Sequence, residues 1–312
     1  MRPHDTPLPS PLTVAITGAT GLIGTALVAR LRARGHTVRR LLHSPRDPDP
    51  EDVVWNPAMG ALPPAALAGA DAVVHLAGEP VAHRWNEARK RAIRESRVRS
   101  TELLAAAVRA MEPRPRVFLS GSAIGWYGDR GDALLDESSG PGDGFLAQVC
   151  VEWEGATAPM ADAGVRVVLL RTGIVLNPNG GALERLLPIF RLGAGGPLGS
   201  GRQWMSWIGL TDHIRAMEHA LLTESMQGPA NLVAPNPVTN AEFATTLGRV
   251  VTRPALVPVP SFALELLYGE MARTTLLAGQ RVLPKALSAA GFEFAQPTLE
   301  GALREELRTG ER

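Results

Sequence analysis

The chain has little cysteine, lysine or tyrosine: Cys150 is its only cysteine, Lys90 and Lys285 its only lysines, and Tyr127 and Tyr268 its only tyrosines. One cysteine cannot form a disulfide within the chain, so a reducing compartment is the simplest setting and a cytoplasmic location is expected. No stretch approaches the roughly 18 uncharged apolar residues that a membrane-spanning helix needs. Residues 1–11 are polar and proline-rich, without an apolar run of signal-peptide length, and are expected to form a disordered tail. Neither charge is in excess, with 32 basic and 31 acidic residues and a net charge of +1. That balance gives no reason to expect nucleic acid or an anionic membrane as a partner. The seven histidines show no metal-ligand spacing, so no metal site is expected. Nothing in the sequence fixes an oligomeric state.

What is present is the composition of an ordinary globular protein, 45% apolar and 20% charged, in a chain long enough to bury a substantial core. Its first half alternates short apolar runs with helical spacing. Residues 13–17 read as a strand running into glycine, and residues 21–34 as a helix that stops at Gly35. Further strands are expected over residues 36–42, 52–55, 71–76, 116–120 and 165–171, with helices over 86–111 and 145–158. Such alternation predicts an α/β fold, a Rossmann-like doubly wound parallel sheet covered on both faces. Past residue 180 the pattern changes to a glycine-rich loop over 193–201 and helices separated by prolines, one of them opened by a capping box at Thr239 and Glu242. We expect residues 12–235 to form the nucleotide-binding domain with part of the substrate loop. Residues 236–312 would form a smaller, mainly helical C-terminal substrate lobe, and some strands from the half past residue 180 are expected to return to the main sheet. Pro235 and Pro237 mark the boundary.

The strongest motif is Gly18-Ala19-Thr20-Gly21-Leu22-Ile23-Gly24, placed directly after the first strand and opening the first helix. The first glycine permits a tight turn, the second lets backbone approach a diphosphate, and the third lets helix and sheet pack closely. Amides at the helix N-terminus then meet the negative charge. In a βαβ setting this predicts a dinucleotide, NAD(P), with Gly18, Thr20, Gly21, Leu22, Ile23 and Gly24 at the cofactor. An acid at the end of the second strand would favour NAD through the ribose 2′-hydroxyl. The chain instead has Arg39-Arg40-Leu41-Leu42-His43-Ser44-Pro45-Arg46, with no acid before Asp47. That basic cluster suits a 2′-phosphate, so NADP is expected over NAD, with His43, Ser44 and Arg46 as candidates; a solvated loop is the alternative. Leu76, Ala77 and Gly78 supply small residues where the cofactor passes the fourth strand, or simply a close-packed turn.

These residues carry a resemblance. The glycine loop, His75-Leu76-Ala77-Gly78-Glu79-Pro80 and the run Ser120-Gly121-Ser122-Ala123-Ile124-Gly125-Trp126-Tyr127-Gly128-Asp129 resemble an extended short-chain dehydrogenase/reductase. With Leu170-Arg171-Thr172-Gly173, the loop Gly195 through Gln203, Ser206-Trp207-Ile208 and Gly279-Gln280-Arg281-Val282-Leu283-Pro284, the chain is similar to the atypical branch called the epimerase family. Its members are described as nucleoside-diphosphate-sugar epimerases or NADP-dependent oxidoreductases, a label that comes from the fold. The resemblance spans nearly the whole chain after Pro11. It implies cofactor contacts at the glycine loop, at Leu76 and Ala77, at Arg97 in the long helix and near Val175. Many relatives carry a Ser/Thr-Arg pair where this chain has Leu42-His43, which leaves Arg40 or Arg46 to supply the positive charge.

Most short-chain dehydrogenases also place Tyr-x-x-x-Lys on the helix after the fifth strand, the ammonium lowering the phenol pKa so that it shuttles a proton while hydride moves. Here Gly131 and Ala272 stand four positions after the two tyrosines, and Leu146 and Cys150 occupy the pair's positions. Ser122 and Tyr127 are the remaining catalytic candidates, expected to hydrogen-bond a substrate oxygen at the edge of the sheet; packing of Tyr127 beneath a loop is the alternative. Arg202 and Gln203 are candidates to grip a substrate phosphate or carboxylate, and Trp207 to stack on a flat ring, unless that loop merely packs on the sheet edge. Two functions remain open: an NADP-dependent oxidoreductase or epimerase-like enzyme on a small polar substrate, or a binding module that senses NADP(H) or holds it structurally without turnover.

Overall fold

The computed structural model describes residues 11–43, 49–60 and 62–310. The first half runs β1 (Thr13–Thr17), α1 (Leu22–Ala33), β2 (Thr37–Leu42), β3 (Val53–Val54), β4 (Ala72–His75), α2 (Glu87–Arg109), β5 (Val117–Ala123), β6 (Leu134–Leu135), α3 (Phe145–Gly155), α4 (Ala158–Asp162) and β7 (Arg166–Thr172). There follow β8 (Ile174–Asn177), α5 (Gly181–Arg191), β9 (Trp204–Met205), β10 (Trp207–Gly209), α6 (Leu210–Leu222) and β11 (Gly228–Leu232). The chain ends with β12 (Val238–Thr239), α7 (Asn240–Val250), α8 (Ser261–Tyr268), β13 (Arg281–Val282), α9 (Lys285–Ala289) and α10 (Leu299–Gly310).

Seven strands form one parallel sheet in the order β11-β7-β5-β4-β1-β2-β3. Its central strands are near-continuous apolar runs, as a sheet covered on both faces requires. On one face α1, α6 and α9 bury Leu27, Leu31, Met217 and Leu287. On the other, α2 and α4 bury Leu104, Val108 and Met160 beneath Phe118 and Val167. The long helix α2 starts where Asn86 caps it, accepting the amide of Arg89 at 2.8 Å, and α7 starts at the capping box of Thr239 and Glu242. Each such cap is worth ~1 kcal/mol.

Strand order reverses between β1 and β4, and a doubly wound sheet opens a crevice outside the carboxyl ends of its strands at that reversal. The second core does not respect the expected division at residue 235. It joins Leu176, Leu183, Leu187 and Trp207 from before that point to Phe243, Leu247 and Leu303 from after it. In the other direction Leu287 and Phe292 return to the core of the main sheet. The prolines mark a turn in the chain and no gap in the packing. β11 returns to the main sheet as its outermost strand beside β7, while short pairs β6–β13 and β9–β12 join the two parts.

Packing at Gly24 of the glycine loop leaves no room for a side chain. A Cβ on Gly24 would stand 2.1 Å from the carbonyl oxygen of Gly18, main chain against main chain. Gly24→Ala is therefore expected to cost about 1–3 kcal/mol. Gly155→Ala, at an open position in α3, should gain up to about 1 kcal/mol from helix propensity. Urea midpoints of the two variants should move in opposite directions; equal shifts would contradict this packing.

Candidate functional site

The glycine loop spans the crevice. Gly18 turns at φ +68°, a conformation that favours glycine, and a Cβ there would lie 2.7 Å from the carbonyl carbon of Leu76. The loop after β1 and the turn after β4 are thus in direct main-chain contact. Gly21 is different: around its missing side chain the nearest atom is the Gly18 oxygen at 3.4 Å, and the residue is exposed. It caps α1 without any side-chain hydrogen bond, and the first turn of α1 carries no acid. The leading amides of a twelve-residue helix accordingly face the crevice with their partial positive charge uncompensated by a capping side chain or a first-turn acid.

Arg97 stands beside this edge. Its guanidinium lies 3.1–3.3 Å from where a Cβ of Gly78 would be and over the ring of Trp153 at 5.2 Å. It donates to the carbonyl of Ile93 at 3.0 Å and forms no ion pair among the described residues; burial pushes its pKa below the ordinary arginine value. Thr17, His75 and Ser100, which spacing did not single out, form a buried hydrogen-bonded series under the same turn. The clue was available in principle, since His75 immediately precedes Leu76-Ala77-Gly78, but sequence separation conceals its partners. Val175 sits on β8 opposite Ile208, past the end of β7, and is partly exposed; the following loop reaches back to α1, where a Cβ on Gly180 would meet Leu22 at 3.0 Å.

The residues expected at the adenosine ribose are divided. Arg40 is held by Asp52 through two hydrogen bonds of 2.8 and 2.6 Å, and Arg39 by Glu51 and the carbonyls of Ala65 and Ala68. Both arginines of β2 are committed to structure. His43 follows the strand and is exposed, while Ser44 and Arg46 lie outside the described residues.

The catalytic candidates Ser122 and Tyr127 both have partners within the protein. The Ser122 hydroxyl donates to Glu154 Oε1 at 2.6 Å, and Arg171 grips the same carboxylate from Nε at 2.9 Å and Nη2 at 2.8 Å. Tyr127 is 0% exposed; its hydroxyl donates to Asn231 Oδ1 at 2.7 Å and accepts from Arg171 Nη1 at 3.1 Å. Burial, ahead of the other influences, raises the phenol above its ordinary pKa. Both hydroxyls donate to partners inside the protein, and both side chains are buried. At the positions of the absent Tyr–Lys pair, Leu146 and the thiol of Cys150 lie 3.6 and 3.9 Å from where a Cβ of Gly125 would be. Burial, then the nearby Glu154, pushes the Cys150 thiol up to about 12, so it stays protonated.

The substrate expectations separate in the same way. Trp207 is 0% exposed, with its indole donating to the carbonyl of Asn236 at 3.0 Å, so it cannot stack on a ligand. The Gln203 amide donates at 3.0 Å to the carbonyls of Leu198 and Leu276 and holds the loop closed. Arg202 alone of the three is exposed, with no side-chain partner among the described residues. Also among the described residues, no three His, Cys, Asp or Glu side chains group to hold a metal, and no helix is long and apolar enough to cross a membrane.

A doubly wound sheet with a glycine loop at its strand-order reversal and an uncapped first helix defines a Rossmann protein of the extended short-chain dehydrogenase type. Residues 14–233 match the NAD dependent epimerase/dehydratase family, and residues 259–306 match a domain of unknown function, DUF1731. The chain belongs to that epimerase family. The epimerase family protein Mb2239 of Mycobacterium bovis is 49% identical over 292 residues, 93% of this chain and 96% of the relative. Human SDR39U1 is 38% identical over 298 residues, 94% of this chain and 99% of the human protein. A crystal structure of human SDR39U1 with NADPH superposes with a TM-score of 0.87 at 37% identity, covering 95% of this chain and 99% of that one. A nucleoside-diphosphate sugar epimerase from Corynebacterium glutamicum gives 0.79 at 40% identity, covering 96% of this chain and 58% of that one.

The buried network and the buried histidines each predict a measurement. Tyr127→Phe leaves Asn231 and Arg171 with lost partners, and should cost about 1–3 kcal/mol in urea unfolding; an unchanged midpoint would contradict the network. His75 and His213 are fully buried, and burial takes both pKa values from 6.5 down to about 3. Between those values the unfolded chain binds protons that the folded chain excludes, so their stability contribution is complete above pH 6.5 and is lost as pH falls. The loss approaches ~1.4 kcal/mol per pH unit for each histidine. Stability should drop between pH 6.5 and 4.5, and less steeply in His213→Leu; equal slopes would count against it.

Proposed function

We propose that this chain is an NADP(H)-dependent oxidoreductase of the epimerase family, acting on a small polar substrate. The observation that carries the cofactor half is the pairing of an uncapped α1 N-terminus at exposed Gly21 with a cation, Arg97, that forms no ion pair among the described residues. Both are suited to an anion, and the NADPH bound by human SDR39U1 supports its being a dinucleotide phosphate. Gly18 through Gly24 would hold the diphosphate, Leu76 to Gly78 and Val175 would line its path, and Arg97 would add charge. With Arg39 and Arg40 committed to Glu51 and Asp52, recognition of a 2′-phosphate falls to His43, Ser44 and Arg46. When bound, such a cofactor supplies a hydride at C4 of its nicotinamide.

The chain's own contribution to that chemistry is positioning and exclusion of water. Leu146 and protonated Cys150 make the place of the proton relay apolar, while the carboxylate of Glu154 is fixed by Arg171 and Ser122. The fitting substrate is one that carries its own proton donor, with Arg202 as the exposed contact for an anionic group. A second reading, a binding module that senses or holds NADP(H) without turnover, is favoured by the burial of Ser122 and Tyr127 and their donation to Glu154 and Asn231.

The two readings separate when NADPH absorbance is followed with the purified chain against a panel of carbonyl compounds and sugar nucleotides. We expect oxidation with at least one compound, retained in Ser122→Ala if that variant folds; binding without oxidation across the panel would favour the module. Arg46→Ala should weaken NADPH about tenfold, equivalent to loss of one charged contact of ~1.4 kcal/mol, and leave NADH unchanged. Equal losses for both nucleotides would move 2′-phosphate recognition away from Arg46.

A further inference from the structure

We propose that His75 is a positioning residue for the cofactor: a neutral imidazole, protonated on Nε2, that ties the Leu76–Gly78 turn to the part of α2 carrying Arg97. This rests on the NADP(H) reading above. The tautomer follows from the protons available along the series. The Ser100 hydroxyl donates to the carbonyl of Ser96 at 2.6 Å, so toward His75 Nε2, 2.9 Å away, its oxygen only accepts. Nε2 therefore carries the hydrogen, and Nδ1 accepts the hydroxyl of Thr17 at 2.6 Å. Thr17 Oγ1 in turn accepts the amides of Leu76 and Ala77, both at 3.2 Å. Every hydrogen bond points the same way, from the turn through the ends of β1 and β4 into α2. Both ring nitrogens are engaged and the ring is fully buried, so His75 acts through what it holds.

What it holds are the groups proposed to meet the cofactor. Ser96 Oγ accepts the amide of Glu79 at 3.0 Å, so α2 is fastened to the turn at Ser96 as well as at Ser100, one helical turn apart. Arg97 lies between these two fastenings, its head against Gly78 and over Trp153. The other side of the turn is the Leu76–Ala77 peptide that touches Gly18. One imidazole thus sets the register of the glycine loop, the turn and the cation. Misplacing a charged contact by about 1 Å is enough to lower its contribution severalfold.

The test is a double-mutant cycle read by NADPH fluorescence on the whole chain. His75→Leu should weaken NADPH about tenfold with an unchanged far-ultraviolet spectrum, whereas in an Arg97→Ala background the same change should cost less than about threefold. His75→Asn, which keeps polar atoms near Thr17, should recover part of the affinity. Unchanged affinity in His75→Leu, or the same loss in both backgrounds, overturns the proposal. Should His75→Leu not fold, Ser100→Ala removes the far end of the series and takes its place in the cycle, with a loss of about threefold expected and no loss overturning the inference. Wild-type protein that fails to bind NADPH defeats the cofactor reading and this inference with it; normal wild-type binding with insensitive variants defeats the inference alone.

Discussion

The structure depends on a contact between two stretches of main chain. Gly18 and the Leu76–Ala77 peptide meet so closely that no side chain fits between them, and Gly24 meets Gly18 from the other direction. That contact sits where the strand order of the sheet reverses, and it fixes the start of α1 relative to the turn after β4. Because α1 begins without a capping side chain or an early acid, the contact also leaves a cluster of amides facing the crevice. Fold and proposed site therefore share one steric condition: the absence of Cβ atoms at two positions. The sheet behind them supplies rigidity, since its central strands are buried on both faces.

Around this edge the polar groups serve to hold and to shield. Leu146, Cys150 and Glu154 recur every four residues and so share one face of α3. On that face the chain places an apolar side chain, a protonated thiol and a carboxylate bound by Arg171 and Ser122. Breaking a buried ion pair such as Glu154–Arg171 by removing one partner costs ~3–5 kcal/mol. Tyr127 and Asn231 extend the network toward β11, and Asn231 passes it to the carbonyl of Leu283 before α9. Groups that invite a catalytic reading by residue type are thus the ones that fasten β5, α3, β7 and the C-terminal segments to one another. Arg97 is the contrasting case, a half-buried cation with no ion pair among the described residues.

Much of this was legible in the sequence because it is local. The glycine loop, the alternation of strand and helix, the Asn86 start of the long helix and the Thr239 capping box are all written within short windows. The absence of Tyr-x-x-x-Lys was equally plain. What spacing could not show were long-range partners: Thr17 with His75 lies 58 positions away, and Tyr127 with Asn231 lies 104 away. For that reason the internal partners of Ser122 and Tyr127 were hidden, as was the place of Trp207 in a core. The packing across residue 235 was hidden for a related reason. Prolines report a local turn, whereas the second core is assembled from segments on both sides of it.

The central claim is that the amides opening α1, together with Arg97, form a dinucleotide-phosphate site. Isothermal titration calorimetry of the intact chain with NADPH tests it most directly. Saturable binding of one NADPH per chain is expected, with weaker binding of NADH. A flat titration with both nucleotides on folded protein would contradict it.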